Sequence, residues 1–326
     1  MQNYSLIQKF LHDFVLKKKF INKSLFEIEK MIFLKDLDIK NQSHIFITGL
    51  PRSGTTSLLN FLYSSNSFAS LIYKNMPFIL SPNFSKIFHQ NKILEKKERI
   101  HNDGINFDIN SPEALDEIFF NNDETFIKKE LLNYLELILI SEQKDRYLSK
   151  NNLNFKRIDL ISSILPNSKF LITIREPLQH AYSLLNQHLH FSKLQKNDDF
   201  VRRYMNYLGH NEFGLDHKPW NEGSFNNDFN EIDYWLEQWS LFYQKILRNY
   251  KFNKNCFFVI YEELTNQNYI KILAKQANLK KIEKLNQNHF KNSNKKQVNI
   301  SYSKKIYNNA NNIYTEFKNQ KILNEN

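Results

Sequence analysis

The chain has 326 residues, which is enough to bury a sizeable core, and we expect one large domain rather than two small ones. Its 45 lysines and arginines exceed its 34 aspartates and glutamates, so the net charge of +11 favours anionic ligands. The basic residues are scattered in short groups, which argues against a nucleic-acid-binding stripe. No stretch reaches the roughly 20 apolar residues that a membrane-spanning helix needs. The only cysteine, Cys256, excludes an internal disulfide.

The N-terminal region precedes the first predicted strand. Apolar residues at helical spacing between positions 6 and 37 predict two amphipathic helices there. We therefore divide the chain into a helical extension, residues 1–42, and a single α/β domain with lid-like insertions, residues 43–326. The N-terminal charges are spread among the apolar positions, which is not the pattern of a signal peptide. Together with the single cysteine, this predicts a cytoplasmic protein.

Residues 44–62, with the sequence HIFITGLPRSGTTSLLNFL, carry the strongest functional signal. An apolar run predicts a strand at 45–47, the glycines and the proline predict a turn, and residues 55–62 predict a helix. We call the turn, residues 49–54, the phosphate loop. Because the first N–H groups of a helix have no intrahelical partner and glycines allow close approach, this junction predicts a phosphate site.

The phosphate loop has the Gly-x-x-x-x-Gly spacing of a Walker A motif, but Thr55 stands where that motif has its lysine. A nucleoside triphosphatase needs the lysine at the β- and γ-phosphates. Here the nearest cation is Arg52, followed by Ser53 and then by the pair Thr55 and Thr56. This arrangement favours a single phosphate that carries a second anionic group over a metal-bound triphosphate.

The segment that follows the phosphate helix is expected to line an acceptor pocket. Residues 71–73 predict a strand that ends in a proline-bounded loop. Residues 111–120 predict the start of a helix, with Ser111 as its N-cap and Pro112 in its first turn. A longer amphipathic helix is predicted at 125–142.

The middle of the chain predicts a parallel sheet. A short strand at 146–148 is followed by Lys150, and an apolar run at 170–174 is followed by Arg175, with a helix predicted between them at 155–165. Strand, helix and strand in this order are typical of a parallel sheet. We therefore expect a three-layer α/β fold of the P-loop NTPase-like type, with a central parallel β-sheet flanked by helices. Ligands bind at the carboxyl ends of such strands, where Lys150, Arg175 and the phosphate loop are placed.

Arg175 is followed by Ser183, which lies on a helix predicted at 180–190. An arginine offers a planar fork to a phosphate and a serine adds a hydroxyl donor. The pair therefore predicts a second phosphate site that faces the same crevice as the phosphate loop. The alternative for Arg175 is a surface ion pair with Glu176.

The last third of the chain adds core and loop signals. His188 and His190 stand two positions apart, a spacing that turns them to different sides of a helix and does not predict a metal site. Residues 209–228, which we call the lid segment, are rich in Gly, Asn and Asp and predict a long loop over the acceptor site. Trp235 and Trp239 are one helical turn apart and are expected to be core residues.

Taken together, the GLPRSGTTS segment and the Arg–x7–Ser pair resemble the sulfotransferases that use 3′-phosphoadenosine 5′-phosphosulfate (PAPS). The resemblance implies that PAPS is the co-substrate and that Arg175 and Ser183 bind its 3′-phosphate. It also implies that the first motif holds the 5′-phosphosulfate. The residues that this implies are Arg52, Ser53, Gly54, Thr55, Thr56 and Ser57.

Residues 149–177 also resemble the branch that includes tyrosylprotein and bacterial carbohydrate sulfotransferases. In that branch a lysine at the position of Lys150 steadies the transferring sulfuryl group. The tyrosylprotein enzymes place a catalytic glutamate about where Tyr73 stands, and this chain has no carboxylate near that position in the sequence. The proton of the acceptor therefore needs another base.

Four side chains in one stretch are candidate bases, since an acceptor hydroxyl attacks poorly until its proton has somewhere to go. They are His101, Asp103, Glu113 and Glu117. His101 has a suitable intrinsic pKa and Asp103 could orient its ring, so His101 ranks first and Glu113 second. The competing interpretations are a solvent-facing histidine and, for the glutamates, interaction with a helix N-terminus.

The combined prediction is a cytoplasmic bacterial sulfotransferase that moves a sulfuryl group from PAPS to a hydroxyl or amine without a metal. Its predicted catalytic residues are Arg52, Lys150, His101 and Glu113. We expect a small-molecule or glycan acceptor, with a carbohydrate as one option, and no nucleic-acid partner. Two alternatives stay open: a P-loop kinase that uses magnesium–ATP, and a non-catalytic nucleotide- or RNA-binding protein whose binding depends steeply on salt.

Overall fold

Four parallel strands form the centre of the computed structural model, which describes residues 14–15, 18–88, 97–98, 106–207, 209–220, 228–279, 290 and 298–320. In chain order these strands are β1 (Ile45–Thr48), β4 (Leu148–Lys150), β5 (Lys169–Ile174) and β6 (Cys256–Ile260). Their spatial order is β4–β1–β5–β6. A separate antiparallel pair is formed by β2 (Lys97–Glu98) and β3 (Asn106–Phe107).

Helices cover the sheet and connect its strands. Among the described residues the α-helices are α1 (Lys19–Phe33), α2 (Thr55–Ser64), α3 (Pro82–Phe88), α4 (Glu117–Phe120), α5 (Glu124–Glu142), α6 (Ile158–Ile164), α7 (Pro177–Asn197), α8 (Asp199–Tyr207), α9 (Ile232–Tyr250), α10 (Gln267–Gln276) and α11 (Lys304–Asn319). Short 3₁₀ turns occur at Tyr73–Asn75, Asn154–Lys156 and Tyr261–Thr265. None of the helices in the described part of the chain combines the length and the apolar character needed to cross a membrane.

Both faces of the sheet are buried. Successive residues of a strand point to opposite faces, and each face is covered by apolar residues of helices. On one face, Ile45, Ile47 and Val259 pack with apolar residues of α2 and α10. On the other face, Phe46 stacks on Phe170 with ring centroids 5.6 Å apart, inside a larger cluster that includes residues of α5, α7, α9 and α11. Helices on both faces explain why these strands are continuous apolar runs. The predicted three-layer α/β fold with a central parallel sheet is confirmed.

The N-terminal helix α1 packs against the core of the domain. Phe26 is fully buried in the larger cluster. The Lys30 ammonium lies 2.8 Å from the carboxylate of Glu130 in α5, and the Glu29 carboxylate accepts two N–H groups at the start of α3. Of the two helices predicted ahead of the first strand, α1 is the second, and most of the first lies outside the described residues. The domain boundary at residue 43 stays a prediction.

The strand predicted at 71–73 is wrong. The chain makes a 3₁₀ turn at Tyr73–Asn75, and the side-chain oxygen of Asn75 accepts the N–H of Ile72 at 2.8 Å. Ile72 makes an isolated antiparallel bridge with Pro112, in which the N–H of Tyr73 donates to the Ser111 carbonyl oxygen and the N–H of Glu113 to the Leu71 carbonyl oxygen. The turn that follows keeps this pairing from extending into a strand. Contact with the sheet ends just before this turn, at an isolated bridge between Ala69 and Tyr147.

The helix predicted from Ser111 begins later, at Glu117. The Ser111 hydroxyl accepts the N–H of Asp108 and donates to the Asp108 carboxylate, with both bonds at 3.0 Å. Ser111 therefore closes a preceding turn instead of capping a helix. The reason is that serine and aspartate side chains offer nearby backbone groups a local alternative to helical hydrogen bonds.

Other boundaries in the middle of the chain shift by a few residues. The helix predicted at 125–142 is confirmed as α5. The strand predicted at 146–148 is displaced to Leu148–Lys150, so Lys150 is the last residue of β4 instead of lying beyond it. The helix predicted at 155–165 is divided into the 3₁₀ turn Asn154–Lys156 and α6.

Candidate active site

The phosphate loop connects β1 to α2 through a backbone with positive φ angles. The φ values are +143° at Gly49, +71° at Arg52 and +95° at Gly54. A Cβ atom on Gly49 would lie 2.5 Å from Thr173 Oγ1 and 2.7 Å from the Thr173 carbonyl oxygen, and one on Gly54 would lie 2.3 Å from the Tyr261 ring. Both glycines are therefore required by space as well as by conformation. The loop ends at the N-terminus of α2, which favours an anion.

Ser53 stabilises the phosphate loop through hydrogen bonds of its side chain. Its buried hydroxyl donates to the Leu50 carbonyl oxygen at 2.6 Å and lies 2.5 Å from Thr173 Oγ1. The Ser53 side chain therefore supports the shape of the loop. Thr56 and Ser57 follow in the first turn of α2, the former buried and the latter partly exposed.

The buried His180 of α7 supports the phosphate loop through a hydrogen bond to its backbone. Its Nδ1 accepts the indole N–H of Trp239 at 3.1 Å, so Nε2 carries the ring proton and donates to the carbonyl oxygen of Pro51 at 2.7 Å. Burial lowers the pKa of His180 to about 3, and the neighbouring Arg175 and Arg52 charges act in the same direction. The ring is therefore neutral and links the loop to α7 and α9.

Arg52 joins the phosphate loop to the end of β5. Its Nε donates to the Ser183 hydroxyl on α7 at 3.2 Å. Arg175, the first residue after β5, donates from Nη1 to the Arg52 carbonyl oxygen at 3.2 Å. Arg52, Arg175 and Ser183, which were predicted for the two phosphate sites, therefore lie side by side, and the binding of phosphates there stays a prediction.

The guanidinium group of Arg175 has a buried atom without a protein partner. Among the described residues, Arg175 Nε makes no hydrogen bond. The alternative ion pair with Glu176 is not formed, because the Glu176 carboxylate accepts the N–H groups of Leu178 and Gln179 at the start of α7. The guanidinium lies over the Tyr261 ring, 5.2 Å from its centroid. A buried donor in this state is costly unless a ligand accepts its hydrogen bond.

Lys150 and Glu113 form a second part of the site. Lys150 is largely buried, and its ammonium lies 3.4 Å from Glu113 Oε1. The hydroxyl of Tyr73 donates to Glu113 Oε2 at 2.8 Å. Tyr73, which has no carboxylate near it in the sequence, is thus in contact with the carboxylate of Glu113 in the structure. No local sequence pattern could indicate this contact, because the two residues are 40 positions apart.

Glu117 has a structural role. Both of its carboxylate oxygens accept from Nη2 of Arg157, at 2.6 and 2.7 Å, and Oε2 also accepts the side-chain amide of Asn151 at 2.8 Å. Because these donors occupy both carboxylate oxygens, the geometry argues against Glu117 as a base. The other two candidates, His101 and Asp103, lie outside the described residues, and their assignment stays a prediction.

His210 and Glu212 are residues near the site that the sequence analysis did not single out. His210 Nδ1 lies 3.5 Å from Glu212 Oε1. The charges of Lys150 and Glu113 both act on the pKa of His210. The available signal was a histidine and a glutamate two positions apart in a glycine-containing loop, but the sequence does not say which strand that loop approaches.

The described part of the lid segment is anchored in the core. Phe213 and Trp220 are buried. His217 donates from Nδ1 to the Glu212 carbonyl oxygen at 2.8 Å, and its Nε2 accepts the hydroxyl of Tyr234 at 2.7 Å. Residues 221–227 lie outside the described part, and a lid function stays a prediction.

The two tryptophans predicted for the core are buried, and His188 packs against one of them. Trp235 and Trp239 are fully buried, which confirms the sequence interpretation. The His188 ring packs on Trp235 with centroids 5.5 Å apart, and burial lowers its pKa. In the described part of the chain, no group of three or more His, Cys, Asp or Glu side chains could hold a metal ion.

A family model described as the sulfotransferase family matches residues 44–217, which is slightly more than half of the chain. The chain belongs to the sulfotransferase family. In this sulfotransferase the matched region contains the phosphate loop, Lys150, Arg175 and Ser183. No curated protein matches the sequence of this sulfotransferase.

Two solved structures are similar to this sulfotransferase. Sulfotransferase STF1 from Mycobacterium tuberculosis H37Rv has 15% sequence identity and a TM-score of 0.50, over 97% of this chain and 87% of that chain. Sulfotransferase STF9 from Mycobacterium avium has 12% identity and a TM-score of 0.48, over 94% of this chain and 82% of that chain. At this identity the similarity to STF1 bears on the fold of the sulfotransferase alone.

Proposed function

We propose that this sulfotransferase transfers a sulfuryl group from PAPS to a hydroxyl or amine of a small-molecule or glycan acceptor in the cytoplasm. One observation carries the proposal: Arg52 of the phosphate loop bonds to Ser183, and Arg175 bonds to the Arg52 carbonyl oxygen. An adenosine that carries a phosphate at its 3′ position and a phosphosulfate at its 5′ position needs two adjacent anion sites. These contacts support the proposal that two such sites lie next to each other.

The phosphosulfate end of PAPS is proposed to lie against the phosphate loop. The N-terminus of α2 supplies backbone N–H groups and a partial positive charge. The side chains proposed to contact it are those of Arg52, Thr55, Thr56 and Ser57, while Gly54 permits the close approach of the backbone. Ser53 contributes through the shape of the loop, because its hydroxyl is engaged with Leu50.

The 3′-phosphate of PAPS is proposed to bind Arg175 and Ser183. The buried Nε of Arg175 has no hydrogen-bond partner among the described residues, so a phosphate oxygen would satisfy it. The Ser183 hydroxyl, on an early turn of α7, adds a donor that reaches the same place as Arg52. This chemistry suits a dianionic phosphate.

Charge develops on the bridging and sulfuryl oxygens as the donor bond to sulfur breaks, and fixed cations stabilise it. We assign this role to Lys150 and Arg52. The carboxylate of Glu113, 3.4 Å from the Lys150 ammonium, holds that cation in place. Glu113 and His101 are also the two proton acceptors predicted from the sequence.

Calorimetric titration with 3′,5′-adenosine bisphosphate tests the identity of the donor. We expect binding without magnesium, and tighter binding than that of magnesium–ATP. The Arg175→Ala substitution should weaken binding by about 10- to 150-fold, because a hydrogen bond to a charged group contributes roughly 1.5–3 kcal/mol. Arg248→Ala removes an exposed arginine of α9 and is the matched control, with unchanged binding expected. A preference for magnesium–ATP, or wild-type affinity in the Arg175→Ala protein, contradicts the proposal.

Sulfuryl transfer is tested with labelled PAPS and a panel of alcohols, amines and glycans. The Arg52→Ala enzyme should lose roughly a hundredfold to a thousandfold in turnover, the effect of removing one donor that stabilises developing negative charge. The Arg248→Ala enzyme is again the control. Full turnover in the Arg52→Ala enzyme would rule out its assigned role.

A further inference from the structure

A histidine and a glutamate from the lid segment form a pair that the proposed function does not use. His210 Nδ1 lies 3.5 Å from Glu212 Oε1, and the two side chains are 30% and 12% exposed. Among the described residues, Nε2 of His210 has no hydrogen-bond partner. The Nδ1 atom of the ring thus faces the Glu212 carboxylate, and Nε2 is the nitrogen that a substrate could contact.

A series of contacts connects the pair to the region of Lys150. The preceding residue, Gly209, packs against α4, because a Cβ atom there would lie 3.1 Å from Glu117 Cγ. Glu117 in turn accepts the side-chain amide of Asn151, the residue that follows Lys150, at 2.8 Å. The charges of Lys150 and Glu113 also act on the pKa of His210. The pair therefore lies in the same region of the domain as the cation assigned to the transferring sulfuryl group.

Backbone contacts hold the pair in position. The N–H of His210 donates to the Met205 carbonyl oxygen at 2.9 Å. The carbonyl oxygen of Glu212 accepts Nδ1–H of His217 at 2.8 Å, and the next residue, Phe213, is buried. Anchoring of this kind is what a reacting side chain needs, since small displacements lower the rate steeply.

The electrostatics of the pair favour proton uptake by His210. Burial alone would lower the pKa of His210, but the charge and hydrogen bonding of Glu212 raise it above its ordinary value of 6.5. Glu113 acts in the same direction, whereas Lys150 opposes it. Burial would raise the pKa of Glu212, but His210 and then Lys150 hold it at about 2. Glu212 is therefore ionised and stabilises a protonated imidazole.

The carboxylate of Glu113 is already engaged by other groups. Its Oε2 accepts the hydroxyl of Tyr73 at 2.8 Å, and its Oε1 accepts the N–H of Ala114 at 2.9 Å beside the Lys150 ammonium. Such a carboxylate is suited to holding Lys150, and its contacts would have to rearrange before it could take a proton. His210 needs no such rearrangement.

We propose that His210 is the catalytic base of the transfer and that Glu212 positions it, an inference that rests on the proposed sulfotransferase reaction. The acceptor oxygen forms a bond to sulfur, and the bond between sulfur and the bridging oxygen of PAPS breaks. The electron pair of that bond leaves with 3′,5′-adenosine bisphosphate. The acceptor proton passes to Nε2 of His210, while Nδ1–H faces the Glu212 carboxylate.

The first test measures kcat/KM as a function of pH. The reaction is followed by the release of 3′,5′-adenosine bisphosphate from PAPS, once with phenol as a model acceptor and once with water as the only acceptor. His210→Gln should lower kcat/KM by about 10²- to 10⁴-fold, the usual contribution of a general base, and should abolish the rise of the rate with pH. Glu212→Gln should move that rise to lower pH and reduce the plateau. Asp216→Asn removes a partly exposed lid-segment carboxylate that pairs with Arg202 and should change neither.

Two outcomes of this test overturn the proposal. One is a His210→Gln enzyme with wild-type rate and pH profile. The other is loss of the pH-dependent rise in a His101→Asn enzyme while His210→Gln retains it. Calorimetry with 3′,5′-adenosine bisphosphate distinguishes failure of the proposed function from failure of the base assignment. A wild-type protein that does not bind it refutes the proposed function, whereas normal binding with an unaffected His210→Gln enzyme refutes only the base assignment.

A titration of the His210 ring by NMR decides the matter if neither phenol nor water supports turnover. The ring pKa should lie above 6.5 in the wild type and should fall in the Glu212→Gln protein, because the substitution removes the charge that favours imidazolium. The Asp216→Asn protein should titrate as the wild type does. A ring that titrates below 6.5, or that does not respond to Glu212→Gln, overturns the proposal.

Discussion

Gly49 is the position in the phosphate loop at which a side chain has the least room. Its φ of +143° is a conformation that residues with a Cβ atom rarely adopt. A Cβ atom would also lie 2.7 Å from the main-chain carbonyl oxygen of Thr173, which cannot rotate away as a side chain can. The loop is therefore more sensitive here than at a glycine that faces side chains.

We expect Gly49→Ala to lower the free energy of unfolding by about 3 kcal/mol or more, from backbone strain together with overpacking. Urea denaturation measures this change. Gly209→Ala is the matched comparison, since its φ is +70° and its nearest neighbours are side-chain atoms at 3.1 and 3.3 Å. That substitution should cost only about 1–2 kcal/mol. Equal losses at the two positions would contradict the steric explanation.

Tyr73 and Glu113 show that the sequence around one residue does not reveal which charged groups lie beside it in the structure. In the sequence, Tyr73 stands where a related branch has its glutamate, and no carboxylate is near it. In the structure its hydroxyl donates to Glu113 at 2.8 Å, so a carboxylate is present at that place from another part of the chain. A carboxylate can therefore lie beside a residue in the structure although none is near that residue in the sequence.

Among the elements, α7 links the two halves of the candidate site. Its first turn is capped by Glu176, its buried His180 supports the phosphate loop, and Ser183 contacts Arg52. One helix thus fixes the distance between the loop and the end of β5. His180 and Ser183 are three positions apart in α7, so both side chains lie on the side of the helix that faces the phosphate loop.

The helix α1 is joined to α3 by a buried carboxylate. Glu29 accepts the N–H groups of Asn83 and Phe84 at 2.9 and 3.0 Å, together with the side-chain amide of Asn83. Glu29→Ala should lower the free energy of unfolding by about 3 kcal/mol, because these buried donors lose their acceptor. Thermal and urea unfolding measure the change.

Glu27→Ala is the control for this prediction, in the same helix. Glu27 is 57% exposed and pairs with Lys30 at 2.9 Å. An exposed pair of this kind contributes at most about 1 kcal/mol. If Glu27→Ala destabilised the protein as much as Glu29→Ala, general loss of helix charge would explain the effect better than loss of the buried contacts.

At the scale of the whole molecule, three histidines of the described part of the chain are neutral, and each bridges a donor and an acceptor. His44 accepts the N–H of Tyr147 at Nδ1 and donates from Nε2 to the carbonyl oxygen of Ile39. His180 and His217 make equivalent bridges. Burial lowers the pKa of His44 to about 4, that of His180 to about 3 and that of His217 to about 4. Protonation would remove the acceptor role of each ring.

The protein should therefore lose stability as the pH falls below about 6.5. Between that value and about 4 the unfolded chain binds protons at these histidines and the folded chain does not, so the free energy of unfolding decreases with decreasing pH. Each histidine should contribute about 2 kcal/mol between pH 7 and pH 5, since one pKa unit corresponds to about 1.4 kcal/mol. His210, with its raised pKa, acts in the opposite sense and offsets part of the loss.

Urea unfolding at pH 7 and pH 5 measures this dependence. His44→Gln is the informative variant, because a glutamine amide can accept and donate like the neutral ring but does not bind a proton at pH 5. We expect it to be less sensitive to acid than the wild type. Stability that is constant between pH 7 and pH 5, or acid sensitivity unchanged in the His44→Gln protein, would contradict the explanation.

Local and periodic patterns were sufficient for much of this protein. The apolar runs before the phosphate loop and before Arg175 predicted buried parallel strands, because a strand covered on both faces has no polar side. The glycines of the loop and the spacing of Arg175 and Ser183 predicted two anion sites. The helix from Ser111 failed because the Ser111 side chain binds a nearby backbone group, a competition that periodicity does not register. The strand at 71–73 failed because the chain turns at Tyr73–Asn75 after a single isolated bridge.

The sequence by itself determined the central sheet and the loop between its first strand and the following helix, and it predicted a second anion site, since each depends on neighbouring residues or on a fixed spacing. Only the tertiary structure decided which ionisable groups meet at the site. It brought Glu113 to Lys150, paired Glu117 with Arg157, and put His210 where the charges of Lys150 and Glu113 reach it. These contacts join residues that are far apart in the chain, so they depend on how separate elements pack and not on any pattern within one of them.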